Sequence, residues 1–437
     1  MDVLLVNAPV NLFVEHARLS PPLGLAYIGA VLLKENYSVS ALDLNLSAES
    51  WNELRRLLEK TPPCILGISA YTETYPNGVK IAEIAKEINP EIKVVMGGPH
   101  ASIMYREVLK QSCIDIVAIG EGEITMLELA ESIARKNGEL SDINGIAYRE
   151  DGAVKLTEER APVPDPDTLP FPAGHLFPLQ SYALPISILT SRGGCPFNCR
   201  FCAVNNIWKG KRRFRNPEKV AEEALVALRE QPAAPIVFAD DALTLNRECV
   251  VKICSIFNKL RMLFPISWRC ATRVDLIDET ILGQMRYAGC YSIQYGVESG
   301  SQKILDSIGK KIRLEMVREA VRTTLDLGME VTCSFMFPQP EDDEDTIKEQ
   351  AILMKELKDM GAYLSLAMTT PFPGTYYFEH ADELGIRITS KNWDEYDCRH
   401  FLTETKNLSI ARQKELLEDL VDAVGMKQAS VSEITDE

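Results

Sequence analysis

Three thiols fall within eight residues: Cys195, Cys199 and Cys202, in the run Gly193-Gly194-Cys195-Pro196-Phe197-Asn198-Cys199-Arg200-Phe201-Cys202. Thiolates are soft ligands suited to iron–sulfur clusters or zinc. A closed structural zinc site takes four ligands, and no fourth Cys or His follows locally. Three ligands on a four-iron cluster leave one iron open, and an open iron can chelate a small molecule. The other eight of the eleven cysteines are scattered, mostly in apolar runs, and read as buried core thiols. A disulfide framework is not expected in a chain of this size that starts Met1-Asp2-Val3-Leu4-Leu5 without a leader pattern, so a reducing cytoplasm is the expected location. His16, His100, His175, His380 and His400 show no ligand spacing, and no general-base dyad or Ser/His/Asp arrangement emerges. No catalytic side chain is assigned.

Two strand–helix series and a tail must position these residues. Over 1–150 the strand candidates are Asp2–Asn7, Ser38–Asp43, Cys64–Ser69, Lys93–Met96 and Ile116–Ile119, with amphipathic stretches at Leu23–Leu33, Trp51–Leu58, Gly78–Ile88 and Ile124–Ala134. Alternation of this kind predicts a doubly wound parallel sheet, with ligands at the carboxyl ends of its strands. Residues 151–185, rich in proline from Pro162 to Pro185, read as an extended linker. Over 186–375 six further strands are expected: Ile186–Thr190, Ile236–Ala239, Ser267–Ala271, Ser292–Tyr295, Glu330–Met336 and Tyr363–Met368. Helices separate them, which suits a partial (β/α)6 barrel with its site at the carboxyl-end face. Residues 376–437 form a helical extension with one clear helix, Ile410–Met426, and a polar end, Gln428–Glu437.

The 437 residues are 46% apolar and hold 47 basic against 63 acidic side chains, a formal charge of −16. That balance argues against non-specific nucleic-acid binding. No run of about 18 uncharged apolar residues exists to span a membrane.

The cysteine spacing, the aromatic Phe201 before the third cysteine and the strand before the motif resemble the radical S-adenosylmethionine (SAM) enzymes. That resemblance implies a [4Fe-4S] cluster on Cys195, Cys199 and Cys202. Its open iron would bind the amino and carboxylate groups of SAM, and one electron would cleave SAM to methionine and a 5′-deoxyadenosyl radical. Four later segments match family positions: Phe238-Ala239-Asp240-Asp241, Arg269 to Asp275, Gln294 to Gly300, and Thr370 to Thr375. The implied SAM contacts are Phe201, Asp240 and Asp241 (methionyl ammonium), Arg273 (carboxylate), Glu298 (ribose hydroxyls), Ser299 (carboxylate) and Pro373. One segment departs. After strand five the family shows Gly-x-Pro-Gly-Glu-Thr, whereas this chain reads Phe337-Pro338-Gln339-Pro340-Glu341-Asp342-Asp343. The basic run Lys209, Lys211, Arg212, Arg213 and Arg215 reads as a solvated loop or as a clamp for anionic groups.

Ahead of the barrel, Pro21-Pro22-Leu23-Gly24, Gly97-Gly98-Pro99-His100 and Gly120-Glu121-Gly122-Glu123 follow or face strand ends. With the radical motif behind them they resemble the cobalamin-binding module of class B radical SAM enzymes. The implied cobalamin contacts are Leu23, Gly24, Asn45, Ser69, Tyr71, Thr72, Gly97, Gly98, Pro99, His100, Gly120, Glu121, Gly122 and Glu123. Corrinoid domains that supply an axial imidazole carry Asp-x-His-x-x-Gly. Here the stretch is Asp43-Leu44-Asn45-Leu46-Ser47-Ala48, so cobalamin is expected base-off, with no protein histidine below cobalt and His100 as a hydrogen-bonding residue.

The resemblance implies a methyltransferase that moves a methyl group from SAM through methylcobalamin to an unactivated carbon of a protein side chain (a glutamine is one candidate) or of a small molecule. A flavodoxin- or ferredoxin-type donor would supply low-potential electrons. A ring-forming or rearranging enzyme with the same cofactors is the alternative. A corrinoid-binding sensor or methyl carrier is the alternative of another class.

Overall fold

The computed structural model describes residues 1–10, 20–47, 49–210, 212–261 and 265–426. His16, Ala48, Lys211 and Gln428–Glu437 lie outside the described residues. Two compact units emerge: Met1–Pro185 together with Val204–Arg213, and Ile186–Ala203 together with the chain from Phe214 onward.

The first unit is built on a seven-stranded sheet: β1 Val3–Asn7, β2 Val39–Asp43, β3 Ile65–Ser69, β4 Lys93–Gly97, β5 Ile116–Ala118, β6 Ile146–Glu150 and β7 Ala153–Leu156, in the order β2-β1-β3-β4-β5-β6-β7. β1 to β5 pair in parallel. Their near-continuous apolar runs, such as the wholly buried Val3–Val6, are what a sheet covered on both faces requires. The crossovers are α1 Leu23–Lys34, α2 Ser50–Lys60, α3 Tyr75–Ile88 and α4 Pro99–Val108, and α5 Gly122–Ile133 follows β5. The chain runs from β1 outward to β2 and then back past β1 to β3, so the topological switch point lies between β1 and β3.

Two expectations change. β6 and β7 form an antiparallel hairpin on the sheet edge, and the boundary placed at residue 150 falls at its turn. The turn is Asp151-Gly152, with φ of 51° and 78°. This Asp-Gly pair is a hairpin signal in its own right, masked by the polar Arg149 and Glu150 beside it. The proline-rich stretch is also no free spacer. Phe177 and Tyr182 are buried in the core of the first unit, because prolines leave the chain extended but do not stop its apolar side chains from finding a surface.

The second unit holds six parallel barrel strands: Ile186–Ile188, Ile236–Phe238, Trp268–Thr272, Cys290–Glu298, Glu330–Phe337 and Tyr363–Met368. Each lies beside the next, and the first and sixth are edges, so the barrel is open. Intervening helices include Pro217–Glu230, Arg247–Leu260, Leu314–Asp326 and Glu344–Asp359. The fourth strand is longer than the Ser292–Tyr295 run predicts, because parallel partners on both sides carry it through Gly296 to Glu298. The helix Ile410–Val424 buries Leu416, Leu417, Leu420 and Val421 in the same core and ends at Gly425 in the left-handed region. No helix among the described residues is long and apolar enough to cross a membrane.

Gly98 shows how tightly the β4 loop is set. Its φ is 101°, and a Cβ there would stand 2.5 Å from the Ala70 carbonyl oxygen. Gly98→Ala is therefore expected to destabilise the first unit by about 1–3 kcal/mol, read as a lower urea midpoint at unchanged slope. An unchanged midpoint would refute the packing role.

Candidate functional site

The first barrel strand leads directly into the cysteine loop. Cys195 and Cys199 are half-buried and Cys202 is exposed, and all three are free thiols. Two backbone bonds shape the loop: Cys202 N–H donates to Cys199 O at 3.1 Å, and Arg200 N–H donates to Ile308 O at 3.0 Å. Burial pushes the Cys199 thiol up, while Lys310 and Arg273 pull it the other way. Among the described residues no three His, Cys, Asp or Glu side chains are gathered tightly enough for a single metal ion. Corner ligands of a four-iron cube stand further apart than ligands of one ion, so three soft donors on one short loop, with two cations close by, fit the larger group.

The strongest local feature is at the carboxyl end of the fourth strand. The register slips between Gly296 and Glu298, and Glu298 takes a positive φ of 70°. This bulge re-aims the carboxylate. Lys310 Nζ donates to Glu298 Oε1 at 2.8 Å, with both side chains buried. A Cβ on Gly296 would lie 2.5 Å from Glu298 Oε1 and 2.9 Å from Lys310 Nζ, so only glycine leaves room for the pair. Lys310 also stands 5.9 Å from the Phe201 ring centroid. The sequence reading missed it. A lysine in Gly309-Lys310-Lys311 looks like a surface residue, and only the fold buries it.

Other expected SAM contacts have partners within the protein. Asp240 is filled by Thr190 N–H (2.8 Å), Thr190 Oγ1 (3.0 Å) and Ser191 Oγ (2.5 Å). It braces the chain just before the cysteine loop. Arg273 forks onto its neighbour Asp275, at 2.8 and 2.9 Å, and donates to Lys310 O at 2.7 Å. Its guanidinium lies 3.6 Å from the Phe197 ring centroid, so it clamps the cysteine loop to the Lys310 backbone. Ser299 is wholly buried, and its Oγ accepts from Ser301 N–H. Pro373 is buried and Asp241 exposed.

The reshaped strand-five loop is a buried polar knot. Asp342 accepts from Gln339 N–H at 2.6 Å and Thr346 Oγ1 at 2.7 Å, and burial pushes its carboxyl up to about 6. Tyr377 Oη donates to Gln339 Oε1 at 2.7 Å. Asp343 caps the following helix, with Thr346 completing a capping box, so the departure from the family pattern still starts the helix by an ordinary device.

In the first unit, Gly24 and Gly120 have open space where a Cβ would be, which a large ligand could approach closely. Glu123 is buried in the first turn of α5, and Leu23 begins α1. Ser69 and Gly97 are half-buried at the ends of β3 and β4, with Pro99 at the start of α4 and Gly122 at the start of α5. Three expected contacts turn inward. Glu121 takes both guanidinium nitrogens of Arg213, at 2.5 and 3.2 Å, and Val163 N–H. Thr72 Oγ1 and His100 Nδ1 bond each other at 3.2 Å, and His100, 1% exposed, stacks on Tyr75. The basic run resolves the same way. Lys209 pairs with Glu159, Arg213 with Glu121, and Arg215 with the buried Glu223. Asn45 has both ends of its amide engaged, Nδ2 on Asp43 Oδ1 and Oδ1 on Val10 N–H.

An open parallel barrel entered through a three-cysteine loop, in one chain with a doubly wound domain of open glycine turns, defines a radical SAM protein with a vitamin-binding domain. The family model for the B12 binding domain matches residues 13–130, and that for the radical SAM superfamily matches residues 190–351. The uncharacterized methyltransferase PH0819 of Pyrococcus horikoshii is 32% identical over 418 residues, covering 92% of this chain and 89% of that protein. The anaerobic magnesium-protoporphyrin IX monomethyl ester cyclase of Rubrivivax gelatinosus is 29% identical, covering 86% of this chain and 68% of that one. In fold, the chain superposes with a TM-score of 0.76 and 17% identity on the radical SAM methyltransferase TsrM from Kitasatospora setae, solved with cobalamin and a [4Fe-4S] cluster, over 97% of this chain and 89% of that one. The chain belongs to the cobalamin-dependent radical SAM methyltransferases, whose cofactors are cobalamin, a [4Fe-4S] cluster and SAM.

Two measurements test the geometry. Removing one partner of a buried ion pair costs about 3–5 kcal/mol, so Lys310→Met is expected to lower barrel stability by that order, with Glu298→Gln in the same background recovering part of it. Additive single and double variants would show the pair to be uncoupled. Burial lowers the His100 pKa to about 4. Its folded value lies below the unfolded one, so its stabilising contribution is complete above about 6.5 and is lost at about 1.4 kcal/mol per pH unit as pH falls towards 4. Imidazole NMR shifts should stay neutral down to pH 5. A midpoint near 6.5 would contradict the burial.

Proposed function

We infer that this protein is a C-methyltransferase that places a SAM-derived methyl group on an unactivated carbon. The observation that carries the reading is the Glu298–Lys310 pair beside the cysteine loop, in a chain that also holds a corrinoid domain. When bound, the cluster and cobalamin supply the radical-generating electron and the methyl group respectively. Cys195, Cys199 and Cys202 hold the cluster. Glu298, paired with Lys310 and aimed by it, accepts from ribose hydroxyls. Phe201 and Pro373 pack beside the nucleoside, and Asp241 and Ser299 complete the SAM contacts. Asp240 and Arg273 act by holding the loop rather than by touching SAM. Leu23, Gly24, Asn45, Ser69, Tyr71, Gly97, Gly98, Pro99, Gly120, Gly122 and Glu123 border the corrinoid, which is held base-off. Thr72, His100 and Glu121 shape that border from behind. The extension from 376 onward forms part of the substrate side.

Each product consumes two SAM molecules. One leaves as S-adenosylhomocysteine after giving its methyl group, the other as methionine and 5′-deoxyadenosine after the adenosyl radical takes a hydrogen atom from substrate. Two electrons per turnover come from a low-potential flavodoxin- or ferredoxin-type donor. Substrate is a protein side chain, a glutamine among the candidates, or a small molecule. The similarity to the Rubrivivax cyclase favours a second reading, ring closure or rearrangement without net methyl transfer. Anaerobic turnover with methyl-deuterated SAM separates them. Methyl transfer predicts one labelled methyl, one S-adenosylhomocysteine and one 5′-deoxyadenosine per product, whereas deoxyadenosine without homocysteine-type product would establish the second reading.

A further inference from the structure

The chain enters the cysteine loop through one peptide group that the barrel sheet does not hold. Pairing of the first barrel strand with the second ends at Ile188 and Phe238, where Ala239 N–H donates to Ile188 O at 2.9 Å. The next peptide, between Leu189 and Thr190, is held by side chains instead. Its N–H donates to Asp240 Oδ2 at 2.8 Å, and its carbonyl accepts from a guanidinium nitrogen of Arg215 at 3.0 Å. Arg215 N–H also donates to Thr190 O at 2.9 Å. A peptide group is planar, so pinning both ends of it fixes the direction in which the chain leaves the strand. Both pins are buried, Asp240 at 4% exposure and Arg215 at 5%.

Arg215 is itself held. Its guanidinium lies 2.6 Å from Glu223 Oε2. Glu223 sits on the buried face of the helix Pro217–Glu230, with Val220, Ala221, Ala224 and Leu228. Apolar residues at both positions would stabilise such a core about as well as an ion pair, because desolvation offsets much of the attraction between two buried charges. The pair is therefore better explained by what it aims than by the stability it adds. We propose that Arg215 is a positioning residue for the iron–sulfur cluster loop, working with Asp240 on the Leu189–Thr190 peptide and kept in place by Glu223. It acts through the backbone and sets how Cys195, Cys199 and Cys202 are presented. The proposal depends on the cluster those thiols hold, and not on which carbon is methylated.

The test separates aim from stability in the full chain. Arg215→Met alone deprives the buried Glu223 of its guanidinium and is expected to lower the urea midpoint. The double variant Arg215→Met/Glu223→Leu removes both charges and is expected to return the midpoint close to wild type. In metal-free protein, iodoacetamide labelling read by mass spectrometry ranks the three thiols. Wild type is expected to protect the half-buried Cys199 relative to the exposed Cys202, and the double variant to lose that ranking. After anaerobic reconstitution with iron and sulfide, SAM is expected to shift the electron paramagnetic resonance signal of the reduced cluster in wild type but not in the double variant. Dithionite-driven cleavage of SAM to 5′-deoxyadenosine should fall about 100-fold, the scale of an ångström's misplacement. A stable double variant whose thiol ranking and response to SAM match wild type would overturn the proposal. A double variant as unstable as Arg215→Met would also overturn it, because the pair would then serve stability. A wild-type chain that assembles no cluster would instead overturn the cluster assignment, and the thiol ranking alone would then decide the role of the pair.

Discussion

The site of the barrel depends on one buried contact between opposite charges. Glu298 sits in a backbone conformation that side chains rarely adopt, on a bulge at the end of the fourth strand. Lys310 holds it there. Burying two charges costs several kcal/mol per ion before their attraction offsets it, so the surroundings must be well fitted. They are: Gly296 makes space for both groups, and Arg273 grips the Lys310 carbonyl while covering Phe197 of the cysteine loop. One ion pair thus links the strand end, the loop that carries the thiols and the turn behind them.

Most of the scaffold was legible in the amino-acid sequence. Parallel strands buried on both faces announce themselves as short apolar runs, and the five front strands and six barrel strands fall within a few residues of their expected ends. The hairpin β6–β7 was not seen. Its outer strand is exposed, as the burial of Lys155 and Leu156 shows, so it lacks the apolar run that marks the others. The cysteine motif was legible because its chemistry lies in spacing alone.

Roles of charged residues were less legible, for a physical reason. A sequence shows that a side chain is charged and sits at a strand end, but it does not show what has already claimed the charge. Asp240 is occupied by Thr190 and Ser191, Arg273 by Asp275, and Glu121 by Arg213. Each was expected to meet a cofactor, and in the structure each is already engaged with a neighbouring part of the chain. Lys310 is the converse case, a residue with nothing unusual in its neighbourhood of sequence that becomes informative once buried. His100 and Thr72 satisfy one another in the same manner.

The assignment of Val204–Arg213 to the first unit bears on how the molecule can be taken apart. The chain passes between units at Pro185, again after Ala203 and again after Arg213. A fragment that stopped at the proline-rich stretch would leave Glu121 and Glu159 without the cations that Arg213 and Lys209 now provide. A fragment that began there would carry a decapeptide stripped of its native surroundings, starting two residues after Cys202. A cut at the proline-rich stretch therefore separates Val204–Arg213 from the unit to which it belongs.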